Sequence, residues 1–358
     1  MKPDVSADAS LGRTVKNRGF PPRVKIVICG FGSSGRRFLS LVKSWNPLAD
    51  ILVYSSQVLE PVGHRATKNL DDVTAFDPDL AIVCGSATAR VEVITALTPT
   101  LRGLFVEKPV AADLRDAEAM LSTVDHLDCV VQVGYNLRFS ESLRDFKRRV
   151  TTEELGAVHS VRVETGQFLP TWRPQRDYQS TVSAQAARGG GVLLELSHEI
   201  DYVQWIWGPI EWVSAFTGLQ SELEIDVEDT AHLVVGFPPE RNKKQIVGQL
   251  NLDFVRHDHR RTVTALCANG SLRWDGVAGR AEVWAEGSGE WETVCTDDPG
   301  GSTYDLEWHS FIAAVENSQP PEVSLEEGVS VVQVIEAARI SASAGGSKTI
   351  VAAIGMEK

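Results

Sequence analysis

Residues 30–35 read Gly-Phe-Gly-Ser-Ser-Gly, a G-x-G-x-x-G pattern suited to holding a dinucleotide pyrophosphate. Gly30 would make the tight turn, Gly32 would let phosphate approach the backbone, and Gly35 would let the next helix pack closely. An apolar run, Val24–Cys29, precedes the glycines, and apolar residues at helical spacing follow them. Free amides and the dipole at the helix N-terminus favour an anion. The residues predicted to bind the pyrophosphate are Gly30, Phe31, Gly32, Ser33, Ser34 and Gly35.

The second predicted strand, Ile51–Tyr54, ends in Ser55-Ser56-Gln57 and lacks the carboxylate that commonly binds the adenosine ribose. Ser55 is the cofactor candidate at this strand end. Arg36 and Arg37 follow the glycines, where a guanidinium could reach a 2′-phosphate, and Arg37 is the candidate for that contact. The alternative is that both arginines are solvated residues at a helix start. The sequence is therefore compatible with NAD or NADP, and the arginines slightly favour NADP.

Lys108 follows an apolar strand, Gly103–Val106, and precedes Pro109, which would fix the turn. An ammonium there could hydrogen-bond a substrate hydroxyl and stabilise negative charge as the alcohol loses its proton. Glu-Lys-Pro is also an ordinary surface tripeptide, so the motif alone leaves both interpretations open. Because ligands of doubly wound sheets bind at the carboxyl ends of strands, the cofactor candidates there are Gly85, Ser86, Glu107 and Lys108.

A second chemical candidate lies between a triple glycine, 189–191, and Gly208. The sequence predicts one continuous helix over Val192–Trp207, with Glu195 and His198 on the same face. A histidine beside a carboxylate can hold a proton near neutral pH and act as general base toward an alcohol. The alternative is a packing histidine in a structural hydrogen-bond network.

The elements that would position these residues change character along the chain. The first half alternates strand and helix patterns, which indicates a doubly wound parallel sheet. The second half contains closely spaced strand patterns, among them Gln245–Phe254, and a hairpin signal at Asn269-Gly270. We predict an α/β Rossmann N-terminal domain plus an α+β C-terminal domain with an open, mainly antiparallel sheet. The expected divisions are a flexible tail at 1–22, a Rossmann domain at 23–140 and a substrate-binding and oligomerisation domain at 141–358.

The chain has 358 residues and a formal charge of −13, which argues against a nucleic-acid or anionic-membrane binder. No apolar run is long enough to span a bilayer, and residues 1–22 have no secretory apolar core. Five scattered cysteines without a C-x-x-C pair indicate buried thiols in a reducing compartment, so we expect a cytoplasmic protein. His257 and His259 form a poor zinc set, and no metal is expected.

Four motifs occur in a fixed order: the glycine turn at 30–35, Glu107-Lys108-Pro109, Tyr135-Asn136-Leu137-Arg138-Phe139, and the triple glycine followed by His198-Glu-Ile-Asp. In this order they resemble the Gfo/Idh/MocA oxidoreductase family, from about Arg23 through the C-terminal helices. The resemblance implies a C-terminal sheet that makes homodimer or homotetramer contacts. It also implies hydride transfer between NAD(H) or NADP(H) and a sugar or cyclitol hydroxyl.

The resemblance further implies roles for individual residues. Lys108 would be the active-site lysine and His198 the acid/base. The motif residues implied to bind substrate with them are Tyr135, Asn136 and Arg138. The family often has an aspartate four residues before the histidine, but Leu194 stands there and Glu195 follows it. Either Glu195 takes that role, as we predict, or the role is absent.

The segment from Gln167 to Tyr178 resembles the subgroup of surface-polysaccharide and nucleotide-sugar enzymes. Its rings offer faces for stacking on a sugar or base, and its arginines offer forks for phosphate or carboxylate. The alternative is an exposed connecting loop. The substrate-binding candidates in this segment are Trp172, Arg173, Arg176 and Tyr178.

Two other functions remain open at this level. A protein of the same fold could sense a dinucleotide or sugar without catalysis, and Leu194 in place of the aspartate favours that alternative. An enzyme could also use a tightly held cofactor for elimination chemistry, with no net change in NAD(P)H. The intact Lys108 and His198 favour the dehydrogenase.

Overall fold

The computed structural model describes residues 19–56, 65–239 and 244–352. Most of the predicted 1–22 tail, and Gln57, lie outside this range. The first half forms a six-stranded parallel sheet of order β3-β2-β1-β4-β5-β6. Its strands are β1 (Lys25–Cys29), β2 (Asp50–Tyr54), β3 (Arg65–Thr67), β4 (Leu80–Val83), β5 (Gly103–Glu107) and β6 (Val130–Gly134).

Four helices cover the faces of this sheet, as expected for strands that are apolar on both sides. They are α1 (Ser33–Trp45), α2 (Leu70–Phe76), α3 (Arg90–Thr95) and α4 (Leu114–Val124). The strand order reverses between β1 and β4, and this switch point is where ligands bind in such sheets. The predicted doubly wound arrangement is confirmed, whereas the short strand β3 was not predicted.

The second half forms a nine-stranded sheet of order β14-β13-β12-β11-β7-β10-β9-β8-β15. Its strands are β7 (Val158–Gly166), β8 (Trp212–Gly218), β9 (Thr230–Gly236), β10 (Val247–Asp253), β11 (Arg260–Cys267), β12 (Gly270–Asp275), β13 (Arg280–Ala285), β14 (Glu292–Thr296) and β15 (Thr349–Ile350). β7 and β10 pair in parallel and every other described pair in this sheet is antiparallel. The predicted mainly antiparallel sheet is confirmed, as is the β11–β12 hairpin.

The described part of the second half contains five α-helices, and the last two pack against the first sheet. The helices are α5 (Glu141–Thr151), α6 (Val192–Glu195), α7 (His198–Trp207), α8 (Thr303–Asn317) and α9 (Leu325–Ser343). On α8, Trp308 packs against Phe38 with ring centroids 6.3 Å apart, and Phe311 packs against Phe105 at 5.6 Å. The predicted second domain therefore supplies part of the core of the first.

The predicted continuous helix over Val192–Trp207 is wrong. Leu196 and Ser197 separate α6 from α7, and the Leu196 backbone (φ −98°, ψ 32°) leaves the helical geometry. Apolar periodicity continues through the break because both short helices bury their faces, so the pattern alone does not reveal it. The break lies between two predicted catalytic residues, Glu195 and His198.

One face of the second sheet is covered and the other is open. Along β10, Leu250 and Leu252 are buried while Gln249 is exposed, as the alternating pattern predicts. On the open face, Phe216 and Val234 keep 51% and 37% of their surface exposed. Among the described residues, no helix is long and apolar enough to cross a membrane.

Candidate active site

The glycine turn connects β1 to α1 and packs against Gly85, which follows β4. Gly30 has φ +101°, and a Cβ there would overlap the backbone of Gly85. A Cβ on Gly35 would overlap the Gly30 carbonyl oxygen, whereas one on Gly32 would meet no atom within 4 Å. Gly30 and Gly35 are thus required by the chain's own packing, but Gly32 is not. Space kept free at Gly32 fits the approach of a ligand phosphate.

The N-terminus of α1 is suited to the same ligand. No side chain caps its first amides, and its first turn carries no acidic residue. Both absences leave backbone N–H groups and a positive dipole end available to an anion. The predicted residues Phe31, Ser33 and Ser34 form this turn, so the local structure fits a dinucleotide pyrophosphate.

The other predicted cofactor residues have protein partners. Ser55 is 5% exposed at the end of β2. The Ser86 hydroxyl donates to the Arg188 carbonyl oxygen at 2.9 Å, which ties the β4 loop to the second half of the chain. The Arg37 guanidinium lies 3.7 Å from the centroid of the Tyr304 ring on α8. Arg37 therefore has an aromatic partner from the second half in addition to its predicted phosphate role.

Arg90, which stands outside the predicted catalytic set, organises the two loops at the ends of β4 and β5. It is 4% exposed, and its Nη1 donates to the carbonyl oxygens of Glu107 and Pro109. Its Nη2 donates to the Gly85 carbonyl oxygen at 3.1 Å and to that of Lys108 at 3.5 Å. One buried guanidinium therefore holds four backbone carbonyl groups, and it fixes the backbone on both sides of Lys108.

Lys108 extends from the β5 loop to the break between α6 and α7. Its Nζ donates to the backbone carbonyl oxygen of Glu195 at 2.8 Å, and its own N–H donates to the Glu107 carboxylate at 3.2 Å. The contact of Glu195 with Lys108 is through the backbone, and its half-buried carboxylate has no hydrogen bond to another described residue. The structure thus brings the predicted residues Lys108 and Glu195 together, but the contact is made by the Glu195 backbone carbonyl and not by its carboxylate.

His198 is the first residue of α7 and is 9% exposed. Its ring meets the Tyr135 ring edge-on at a centroid distance of 5.5 Å. Its Nδ1 is buried and has no hydrogen-bond partner among the described residues. Burial, and then the positive charges of Lys108 and Arg261, hold the pKa of His198 well below its ordinary value. The imidazole is therefore neutral near pH 7 and can accept a proton.

Three residues of the Tyr135–Phe139 motif, Tyr135, Asn136 and Arg138, are buried and hydrogen-bonded. Tyr135 is fully buried, and its hydroxyl donates to the Ser197 hydroxyl at 3.5 Å, beside the helix break. Asn136 donates to the Thr303 hydroxyl at 2.6 Å. The Arg138 guanidinium is 3% exposed and binds Asp201 at 2.7 Å and Glu327 at 2.7 Å. Asn136 and Arg138 thus join the two halves, and the Tyr135 ring contacts His198.

In the segment predicted to bind sugar, the aromatic side chains contact other parts of the protein, whereas the two arginines form no ion pair with a described residue. The Trp172 indole N–H donates to the Gln167 carbonyl oxygen at 3.0 Å, and its ring meets Phe254 edge-on. The Tyr178 hydroxyl accepts from the backbone N–H of Glu224 at 3.3 Å. Arg176 is exposed and Arg173 is half-buried, and neither forms an ion pair with a residue that the structure describes.

Two site residues were missed by the sequence analysis. Arg261 on β11 donates from Nε to the Glu199 carboxylate at 2.8 Å, and Glu199 is fully buried beside His198. Arg261 has the same strand parity as the buried Val263 and Ala265, so alternation would have placed it on the inner face. The sequence therefore contained this information: adjacent strand residues point to opposite faces, so only one of Arg260 and Arg261 can point toward the covered face of the sheet.

No group of His, Cys, Asp or Glu in the described ranges could hold a metal ion. The five cysteines all lie within those ranges and are free thiols, with Cys29 buried and the others half-buried.

Comparison with known proteins gives two family matches and a consistent set of relatives. The NAD-binding Rossmann fold of an oxidoreductase family matches residues 24–135, and the C-terminal alpha/beta domain of the same family matches residues 147–350. Myo-inositol 2-dehydrogenase of Thermotoga maritima is 26% identical over 270 residues, which is 70% of this chain and 73% of that protein.

Solved structures support the fold. Levoglucosan dehydrogenase in complex with NADH superposes with a TM-score of 0.79 at 19% identity, covering 93% of this chain and all of that chain. The WlbA dehydrogenase from Bordetella pertussis, in complex with NADH and UDP-GlcNAcA, gives 0.75 at 18% identity, covering 92% and 98%. The two family matches together span most of the sequence. The chain therefore belongs to the Gfo/Idh/MocA oxidoreductase family and has its NAD-binding Rossmann fold.

Proposed function

We propose that this protein is an NAD(P)-dependent dehydrogenase acting on a CH–OH group of a sugar, sugar derivative or cyclitol. The observation that carries the proposal is that Lys108 binds the end of α6 and His198 begins α7, so that both lie at the α6–α7 break. The Lys108 ammonium binds the last carbonyl of α6, and its charge acts on the His198 imidazole at the start of α7. A cation and a neutral base at one point form the pair that alcohol oxidation requires.

Residues of this chain accept the hydroxyl proton of the substrate and stabilise the negative charge of the alkoxide. His198 accepts the hydroxyl proton, because its imidazole is neutral at pH 7. Lys108 stabilises the developing alkoxide, held in place by the Glu195 carbonyl and by the Arg90 clamp on its flanking backbone. Bound nicotinamide supplies the acceptor for the hydride that leaves the carbon. Glu195 acts as a positioning residue through its backbone, and Tyr135 orients the His198 ring.

The substrate class rests on the relatives and on the free arginines. The relatives described above are named for myo-inositol and levoglucosan, and one neighbour contains UDP-GlcNAcA. All three are ring polyols or their derivatives. Arg173 and Arg176 lie in the segment before α6 without an ion pair among the described residues, so they are available to an anionic group of the substrate. Replacing both with alanine should raise the KM of a charged sugar.

An absorbance screen of reduced nicotinamide tests the function. Purified protein is incubated with NAD+ or NADP+ and a panel of inositols, free sugars, sugar phosphates and nucleotide sugars. We expect reduction of the cofactor with at least one ring polyol. His198→Asn should bind NADH with unchanged affinity and lose turnover by about 10²–10⁴-fold. A fully active His198→Asn protein would contradict the assignment.

The alternative, a sensor that does not catalyse, predicts a different result in the same screen. It keeps the dinucleotide site and explains Leu194, which is 1% exposed and carries no polar group where the family often has aspartate. A sensor would bind NADH and a sugar, but neither cofactor would be reduced by any member of the panel. Product formation without a net change in NAD(P)H would instead indicate elimination chemistry.

The open sheet face supports a homodimer or homotetramer, and the free cysteines support the separate proposal of a cytoplasmic location. Phe216 and Val234 lie exposed on adjacent strands, where Phe216 pairs with His232 and Val234 with Ser214. A second copy of this face would bury both apolar side chains. Light scattering should report an oligomer that Phe216→Glu together with Val234→Glu converts to a monomer. A monomeric parent protein would contradict this part of the proposal.

A further inference from the structure

Arg261 approaches His198 from a different element than any predicted substrate residue. Its neighbours along β11, Val263 and Ala265, are buried on the same side, so Arg261 points from the inner face of the sheet. Its side chain is 22% exposed, while the Glu199 side chain it binds is fully buried. One edge of the guanidinium is therefore anchored in the protein and the other reaches solvent-accessible space.

The anchored edge uses only one of the guanidinium nitrogens. Nε donates to the Glu199 Oε1, and neither Nη1 nor Nη2 has a hydrogen-bond partner among the residues that the structure describes. Two Nη groups in one plane form a fork that matches the two oxygens of a carboxylate or phosphate. Glu199 fixes the plane of this fork, so little side-chain freedom remains to be lost on binding.

The position of the fork is given by its contact with Glu199, the residue that follows His198 on α7. The Arg261 charge lowers the pKa of His198 on α7 and acts in the same direction on Tyr304 on α8. Those two residues lie on separate helices of the second half, α7 and α8. The Arg261 guanidinium is therefore bound next to the first residue of α7, His198, whereas Arg173 and Arg176 belong to a different segment.

We propose that Arg261 is a specificity-determining residue that binds a carboxylate or phosphate group of the substrate next to the carbon that is oxidised. This inference rests on the proposed dehydrogenase function and narrows its substrate to an anionic sugar. An ion pair at this point would orient the sugar ring relative to His198 and Lys108. It would also reduce the net positive charge that Lys108 and Arg261 impose on the imidazole.

The first test compares charged and neutral forms of one sugar. We measure kcat/KM of the holoenzyme for glucose, glucuronate and glucose 6-phosphate, together with the corresponding forms of any other sugar active in the screen. The parent protein should prefer one anionic form, and Arg261→Gln should reduce that preference by about 10–100-fold, as expected for a lost charge-assisted contact. Comparing glucuronate with glucose 6-phosphate shows whether the preferred anionic group is a carboxylate or a phosphate.

Two further variants separate specificity from folding. Arg261→Gln leaves the Glu199 carboxylate buried without its cation, so the double variant Glu199→Gln with Arg261→Gln removes both charges. Arg260→Gln is the matched control, because Arg260 is next in the strand and pairs with Glu164 on the open face. The double variant should lose the anion preference, and Arg260→Gln should keep it.

A binding measurement remains valid even if no sugar in the panel is turned over. Inorganic phosphate added to the NADH complex should raise the pKa of His198, followed by NMR, in the parent protein but not in Arg261→Gln. A preference for neutral sugars, an unchanged preference in Arg261→Gln, or no effect of phosphate on His198 would each overturn the inference. Absence of any turnover, with the phosphate effect intact, would instead contradict the proposed function alone.

Discussion

The Lys108 ammonium donates to the Glu195 backbone carbonyl oxygen at 2.8 Å, across the junction between the two halves of the chain. The acceptor is available because the short helix α6 ends at Glu195, and the last carbonyls of a helix lack intrahelical partners. The helix break therefore both receives Lys108 and begins the next helix at His198. The break between the two helices therefore places the cation and the base at the same junction of the fold.

Removing the Lys108 charge should impair chemistry more than cofactor binding. In Lys108→Met, the alkoxide loses its stabilising cation, so kcat should fall by about 10²–10³-fold, the range seen for loss of one oxyanion donor. The dissociation constant of NADH should not change. Steady-state kinetics and fluorescence titration measure the two quantities. Lys348→Met is the control, because Lys348 lies 4.4 Å from the Trp212 ring in the second sheet; equal losses in both variants would contradict the role of Lys108.

The pH dependence of oxidation should reflect the lowered pKa of His198. A base whose pKa lies well below 6.5 remains deprotonated as the pH falls through that value. The rate of alcohol oxidation should therefore decline only at a pH clearly below 6.5. NMR titration of the imidazole provides the same pKa without turnover.

The same titration in Lys108→Met tests the cause of the shift. Loss of a neighbouring positive charge favours the protonated imidazole, so the pKa of His198 should rise while burial still keeps it below 6.5. Lys348→Met should leave the titration unchanged. A titration of His198 at or above 6.5 in the parent protein would contradict both its burial and its proposed role as base.

Alanine substitutions at two glycines of the turn should affect folding and cofactor binding separately. Gly35→Ala places a methyl group on the Gly30 carbonyl oxygen and should lower the melting temperature. Gly32→Ala meets no protein atom, so the melting temperature without cofactor should be unchanged. Its methyl group would lie where the pyrophosphate approaches, and the NADH dissociation constant should increase by more than about tenfold, equivalent to about 1.4 kcal/mol. Unchanged NADH affinity in Gly32→Ala would contradict the placement of the pyrophosphate.

Much of this fold can be predicted from local patterns in the sequence. Buried β-branched runs alternating with helical periodicity predict the first sheet, and strict alternation near Leu250 predicts the half-open second sheet. The roles of Gly30 and Gly35 follow from the mechanics of a turn between strand and helix. Lys108 and His198 were identified because their motifs occur in a fixed order.

The contacts that complete the site depend on long-range packing. Nothing local indicates that α8 returns to the first sheet and places Trp308 beside Phe38. The same return brings Tyr304 to Arg37, a contact that spacing around the glycine turn does not predict. Arg138 was expected near substrate, but tertiary folding supplies Asp201 and Glu327 as its partners. The partners of such buried charged residues lie on elements that are distant in sequence, so local patterns do not reveal them.

The buried guanidinium of Arg90 has only backbone carbonyls as hydrogen-bond partners among the described residues. Arg90→Met would leave those oxygens of the β4 and β5 loops without donors. The cost should be on the order of 3 kcal/mol of unfolding free energy, given about 1–3 kcal/mol for each buried group left unsatisfied and incomplete additivity. Urea unfolding measures this quantity.

Arg90→Lys separates the charge of Arg90 from its geometry. Lysine keeps the positive charge but offers three donors from one nitrogen and cannot span both loops as a planar guanidinium does. Stability should therefore fall in the order parent, Arg90→Lys, Arg90→Met, and kcat should fall in both variants because the backbone around Lys108 is released. Arg115→Met, at a side chain 86% exposed, is the control and should match the parent. If Arg90→Lys retained full kcat, charge alone would be sufficient and the guanidinium clamp would have no part in positioning Lys108.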